Sequence, residues 1–288
     1  MSRRDLARRE RFEDVSPDVG VLDEAAFDEF LAEDPDEALA LLADMTGATD
    51  ETLRLLARRL AGRVVVDLAR TGREPRRGIG RLGRAPAGRA EGDLDLDASI
   101  DAVVAGRAGG AADSDELWVR AWQRPATALC LLVDRSGSMA GDRLASAAVA
   151  AASVLFRAPT DCSVVAFAED AVVLKAQDES RPAEDVVADL LRLRGFGVTD
   201  VGLALRTAAR QLGRSGAGRR VAVLMSDCRS TAGGDPLPHA AALPELVVLG
   251  PEGDTADAEA LAEALGTRWA GLAGPTSVPE ALSRVLLG

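Results

Sequence analysis

Apolar residues in the second half of this chain fall into short unbroken runs separated by helical periods. Residues 127–133 and 221–226 are almost wholly apolar, and 245–249 reads the same way after Glu245. Runs of this length without polar alternation predict strands covered on both faces. Residues 162–168 and 171–175 are two further strands joined by Glu169-Asp170, a turn short enough to make the second antiparallel, at a sheet edge. Between the runs lie helical patterns. Residues 143–156 are so rich in alanine that this helix is expected to lie close against the sheet. Pro182 suits a first helical turn, and that helix is expected to end near Gly195. Leu205, Ala208, Ala209 and Leu212 line one face of the next, and residues 258–265 form another, closed by Gly266. A strand at 267–272 follows, then a last helix for which Ser277 and Glu280 have capping-box spacing. Repeated βα units with continuous apolar strands predict an α/β fold: a doubly wound, mostly parallel sheet with helices on both faces.

The first third reads differently. Phe27, Phe30 and Leu31, then Leu39 and Leu42, then Leu53, Leu56, Leu60, Val64 and Leu68 mark the apolar faces of three helices, with Thr49 or Asp50 as a cap for the third. They could pack together or against the sheet. From Arg70 to Arg89 there are seven arginines against one acid, Glu74, with Pro75, Pro86 and several glycines. Such a run is expected to be a solvated linker, or a grip for an acidic partner surface. Asp93, Asp95 and Asp97 then alternate with leucines, but Ala98 and Val104 stand where a calcium loop needs Gly and Glu, which excludes that loop. The expected division is a helical region over 1–70, an Arg/Gly-rich linker with acidic lead-in over 71–121, and the α/β domain over 122–288.

Candidate chemistry starts at Asp134-Arg135-Ser136-Gly137-Ser138, directly after the first apolar run. An aspartate and two serines at alternate positions after a buried strand place three oxygen ligands in one tight turn, which suits a hard divalent cation. Asp and Ser are also ordinary turn and capping residues, so the turn alone supports either reading. Two other segments add weight: Gly197-Val198-Thr199-Asp200 opens a helix, and the strand 221–226 ends in Asp227. In a doubly wound sheet, ligands bind at the carboxyl ends of the strands where the chain order reverses.

With these residues the chain resembles the von Willebrand factor type A family. That family's metal-ion-dependent adhesion site combines D-x-S-x-S, a Thr on a second loop and an Asp on a third. The resemblance implies Asp134, Ser136, Ser138, Thr199 and Asp227 as the metal site. It further implies an open metal position that accepts an Asp or Glu from a partner protein. Cys228 stands where the family commonly has Gly after the third-loop Asp. Two carboxylates and three hydroxyls carry a charge near −2, which matches a divalent cation, with Mg²⁺ favoured and Mn²⁺ the alternative. Asp200 is expected to cap a helix or to support the ligands without binding the ion itself.

Composition narrows the function. A net charge of −12 argues against general nucleic-acid binding, no run nears the ~20 apolar residues of a membrane span, and the charged first residues lack a signal core, so a cytoplasmic protein is expected. Cys130, Cys162 and Cys228 are read as buried reduced thiols. Enzyme readings lack parts. A dehalogenase-type phosphatase needs a carboxylate where Ser136 stands; His239 is the only histidine and no G-x-S-x-G elbow surrounds either motif serine; no P-loop exists and Lys175 is the sole lysine. The chain is expected to catalyse nothing. The helical, Arg-rich N-terminal part, the D-L-D-L-D-A-S-I lead-in and the C-terminal position of the type A segment are similar to the CoxE-like proteins and to the C-terminal part of the magnesium-chelatase D subunit. That resemblance implies an AAA+ ATPase partner of the MoxR class, in metal-centre insertion or protein-complex maturation. A stand-alone module binding an acidic peptide is the competing binding reading, and a metal-dependent phosphohydrolase the competing enzyme reading.

Overall fold

The computed structural model describes residues 1–71, 81–87, 92–107, 117–123, 127–135, 141–193, 195 and 197–287. These fall into two compact units, Met1–Glu74 together with Thr127–Gly288, and Pro75–Ala126.

The chain begins with two four-residue helices, α1 (Arg3–Leu6) and α2 (Phe12–Val15), too short to leave a periodic signal. The three expected helices follow as α3 (Glu24–Glu33), α4 (Pro35–Met45) and α5 (Glu51–Thr71). Each begins after an aspartate that accepts main-chain N–H bonds: Asp23 from Ala25 and Ala26, Asp34 from Glu37, and Asp50 from Thr52 and Leu53. These caps satisfy donors that a helix leaves without partners in its first turn.

The smaller unit has β1 (Arg81–Pro86), β2 (Asp93–Leu94), α6 (Leu96–Arg107) and β3 (Trp118–Gln123), with the strands in antiparallel order β1-β3-β2. Part of the Arg-rich run expected to be linker is thus a strand. It is held by a main-chain ladder to β3 from Arg81 opposite Gln123 to Pro86 opposite Trp118. The middle carboxylate of the D-x-D-x-D run, Asp95, is only 3% exposed; it accepts from Ala98 N–H and pairs with Arg84 and Arg120. The hydrogen bond from Arg84 is the main reason its pKa falls to about 2.

In the larger unit the sheet comprises β4 (Thr127–Asp134), β5 (Cys162–Phe167), β6 (Ala171–Lys175), β7 (Arg219–Met225), β8 (Leu246–Pro251) and β9 (Arg268–Leu272). Their order is β6-β5-β4-β7-β8-β9, parallel throughout except for the antiparallel edge strand β6. The expected α/β architecture, its helical N-terminal region included, is therefore present. The connecting helices are α7 (Gly141–Arg157), α8 (Ala183–Leu190), α9 (Val201–Leu212), α10 (Leu237–Ala241), α11 (Ala256–Leu265) and α12 (Val278–Leu287). Two expectations differ. α8 stops at Leu190, short of Gly195. Ser277 lies in a 3-10 turn, Pro275–Ser277, that runs into α12; its hydroxyl donates to Gly274 while Glu280 pairs with Arg284, so no capping box forms there.

Alternation along β4 divides the core. Leu129, Leu131 and Val133 join the cluster that holds α7, α8, α12 and the N-terminal helices, whereas Ala128, Cys130 and Leu132 face α9 and α11. α4 and α5 pack on α7 from the side away from the sheet, which answers the question the sequence left open. That arrangement explains the composition of α7, buried at every position from Leu144 to Leu155: a helix covered on both sides has no use for a polar face.

Candidate metal centre

β4 and β7 lie side by side at the centre of the sheet, and the chain order reverses between them, since β4 leads outward to β5 while β7 leads the other way to β8. Parallel strands that part in this way leave a crevice beyond their carboxyl ends. Asp134 is the last residue of β4; Ser226 and Asp227 follow β7. The Ser226 hydroxyl donates to Asp134 Oδ2 at 2.6 Å and accepts from the Cys228 N–H at 2.9 Å, tying the two strand ends together. Asp134, Ser226 and Asp227 line one cleft of about 260 Å³ whose walls also carry Asp142, Arg143 and Glu252.

Thr199 stands on the adjoining loop, 3% exposed, outside the residues lining that cleft. Its N–H donates to Thr231 Oγ1 at 2.9 Å, and its carbonyl accepts from the N–H groups of Thr231 and Ala232, both at 3.0 Å. The loop carrying Asp227 is thereby joined to the loop carrying Thr199. Asp200 N–H donates to the Ala168 carbonyl beyond β5, and its carboxylate caps α9 through Leu203 N–H at 2.7 Å, one of the roles expected for it. At the start of the first loop, Arg135 N–H donates to the Phe167 carbonyl at 2.8 Å and its side chain pairs with Asp170. Asp134 and Asp227 thus share a cleft and Thr199 is bonded to its neighbourhood, while Ser136 and Ser138 lie outside the described residues.

These donors are carboxylate and hydroxyl oxygens, the set a hard divalent cation takes. Among the described residues no group of three or more His, Cys, Asp or Glu is gathered in a way that could hold a metal. Cys228 adopts φ +63°, the left-handed region that favours glycine. A residue with a Cβ in that region costs about 1–2 kcal/mol. Its thiol is buried, and burial first, then the neighbouring carboxylates, push its pKa up to about 12. Such a thiol is inert. His239 sits in α10 with its Nε2 2.9 Å from Arg206 Nη1.

Two residues of this region escaped the sequence reading. Ser226 was read only as the last residue of the strand 221–226. Asp44, from α4, accepts the Gly141 N–H at 2.8 Å through Oδ1, while its Oδ2 takes Arg9 Nε at 2.9 Å and Nη2 at 2.6 Å. An acid inside the apolar stretch 38–45 was the available signal.

Residues 129–230 match the family model described as the von Willebrand factor type A domain. The likeness to a von Willebrand factor type A (VWA) domain is shown for this segment. The matched span runs from β4 past β7 and contains all five residues of the expected site. Among curated proteins, none matches the chain. Solved structures similar to it include proximal thread matrix protein 1 from the mussel byssus, 17% identical with a TM-score of 0.46, covering 56% of this chain and 47% of that one. The chain therefore spans about half of the mussel protein. A second structure of the mussel protein, with a zinc-occupied MIDAS motif, is 16% identical with a TM-score of 0.43 over the same shares of 56% and 47%. An aerotolerance-related membrane protein from Bacteroides fragilis is 18% identical with a TM-score of 0.45, over 56% of this chain and 98% of that one. In the present chain no described helix is long and apolar enough to cross a membrane. The helices α1 to α5 and the smaller unit lie outside the VWA match.

Proposed function

We propose that the chain is a non-catalytic adaptor that docks a protein partner through a divalent cation. Asp134, Ser136, Ser138, Thr199 and Asp227 hold the ion, Mg²⁺ by preference and Mn²⁺ as the alternative, because small octahedral cations accept carboxylates, hydroxyls and water together. The observation carrying this reading is the pair Asp134 and Asp227, brought from separate strands to one solvent-facing cleft and linked through Ser226. The VWA match over that span supports it, since such domains mediate metal-dependent protein interactions. When bound, the ion supplies one coordination position for an Asp or Glu of the partner.

The partner that fits the similarity to CoxE-like proteins is a MoxR-class AAA+ ATPase, with the pair acting in the cytoplasm on metal-centre insertion or complex maturation. Capture of that ATPase by the immobilised full chain tests both parts. Retention in Mg²⁺, loss in EDTA and loss by Asp134→Ala is the expected result. Equal retention in all three conditions would remove the metal from the interaction, and no retention in Mg²⁺ would favour a stand-alone module that binds acidic peptides.

A further inference from the structure

The helix that follows the first metal loop receives a cap from a distant part of the chain. α7 starts at Gly141, which has φ +52°, and the preceding residue is Ala140, whose side chain offers no acceptor. Free N–H groups in a first helical turn are normally taken by a side chain immediately upstream. Here the acceptor is Asp44, 97 residues away in sequence. Asp44 is 3% exposed, and a carboxylate so buried is tolerated only when paired and hydrogen-bonded. Arg9 supplies the pairing and is itself oriented by Glu37 at 3.2 Å. A Cβ at position 141 would displace the Arg9 guanidinium, and the φ of +52° favours glycine there.

The same helix grips the opposite rim. Asp36 accepts the Thr276 N–H at 2.8 Å and the Thr276 hydroxyl at 3.0 Å, fixing the turn after Ala273 and Gly274, which line the cleft. Asp36 and Asp44 are about 12 Å apart along α4 at the helical rise per residue. With Arg135 bonded to Phe167 on one side and Gly141 to Asp44 on the other, both ends of the segment bearing Ser136 and Ser138 are pinned.

We propose that α4 is the mounting of the metal loop, with Asp44 a positioning residue that sets where α7 begins and thereby where the two serines stand. This rests on the metal reading above. The test is Mn²⁺ binding by the full chain, followed by the EPR signal of free Mn²⁺ at a temperature where circular dichroism shows each variant folded. Asp44→Ala is expected to weaken binding about tenfold or more, as loss of a ligand-orienting partner does. Asp44→Asn keeps an oxygen for Gly141 and is expected to recover affinity to within about threefold of the parent. Leu53→Ala, a core truncation in α5, is expected to lower stability without changing affinity. Unchanged binding by Asp44→Ala, no recovery by Asp44→Asn, or an equal loss in Leu53→Ala would overturn the proposal. Should Asp44→Ala not fold, Asp36→Ala takes its place, with weakened binding expected and unchanged binding overturning the mounting. Equal Mn²⁺ binding by the parent and Asp134→Ala would sink the metal reading and the mounting with it; normal dependence on Asp134 with none on Asp44 sinks the mounting alone.

Discussion

α7 and α9 both leave the proposed metal site, and their first turns are secured in opposite ways. α9 is capped from within, by Asp200 on Leu203, and its outer face is solvated by residues such as Arg206 and Arg210. α7 is capped from without, by Asp44, and is buried between the sheet and α4 and α5. A locally capped helix can form wherever its sequence is placed. A helix that borrows its cap and both of its packing surfaces depends on the rest of the chain. The start of α9 is therefore locally encoded, whereas the start of α7 is set by a segment outside the VWA match.

Substitutions at the caps can break this contrast. Asp44→Ala should have the largest effect, because it leaves the Gly141 N–H and the Arg9 guanidinium without their carboxylate; a loss of about 3 kcal/mol is expected. In a chain of this size that is a fall in Tm of roughly 6–12 °C by calorimetry. Asp200→Ala removes one local cap and a 3.7 Å pairing with the half-exposed Arg206, for a loss of about 1 kcal/mol. A larger effect at Asp200 than at Asp44 would reverse the comparison. A third helix sharpens it: α6 is capped in the local manner by Asp95, which also holds Arg84 and Arg120. Because folding lowers this carboxyl from 3.8 to about 2, its stabilising contribution is complete above about pH 4 and lost as the pH falls through about 2. An acid titration of tryptophan fluorescence should show a transition in that window that is reduced in Asp95→Asn; identical curves would contradict the ion pairing.

Much of the sheet was legible because its strands are continuous apolar runs, and a strand buried on both faces leaves no other pattern. The antiparallel edge β6 followed from the two residues available to turn. The meeting of Asp134 and Asp227 followed from the resemblance to the type A family, because a βα repeat by itself does not say which strands are neighbours. Partners were not legible, since periodicity reports which face is apolar and not what covers it. The absence of a polar face on α7 was the one sign that the N-terminal helices return to it. β1 escaped because an exposed arginine such as Arg84 looks like part of a solvated run, while the main-chain ladder to β3 leaves no trace in the sequence. Asp44 escaped because a lone acid in an apolar helix is indistinguishable in sequence from one at the helix boundary.

The central claim is that oxygens from separate strand ends converge on one cation. Equilibrium Mn²⁺ titration of the full chain and of Asp227→Ala tests it most directly, because Asp227 is contributed by a different strand from Asp134. One bound Mn²⁺ per chain, displaced by Mg²⁺ and weakened about tenfold or more in Asp227→Ala, is the predicted result. Saturable binding of the same affinity in both proteins, or none in the parent, would contradict it.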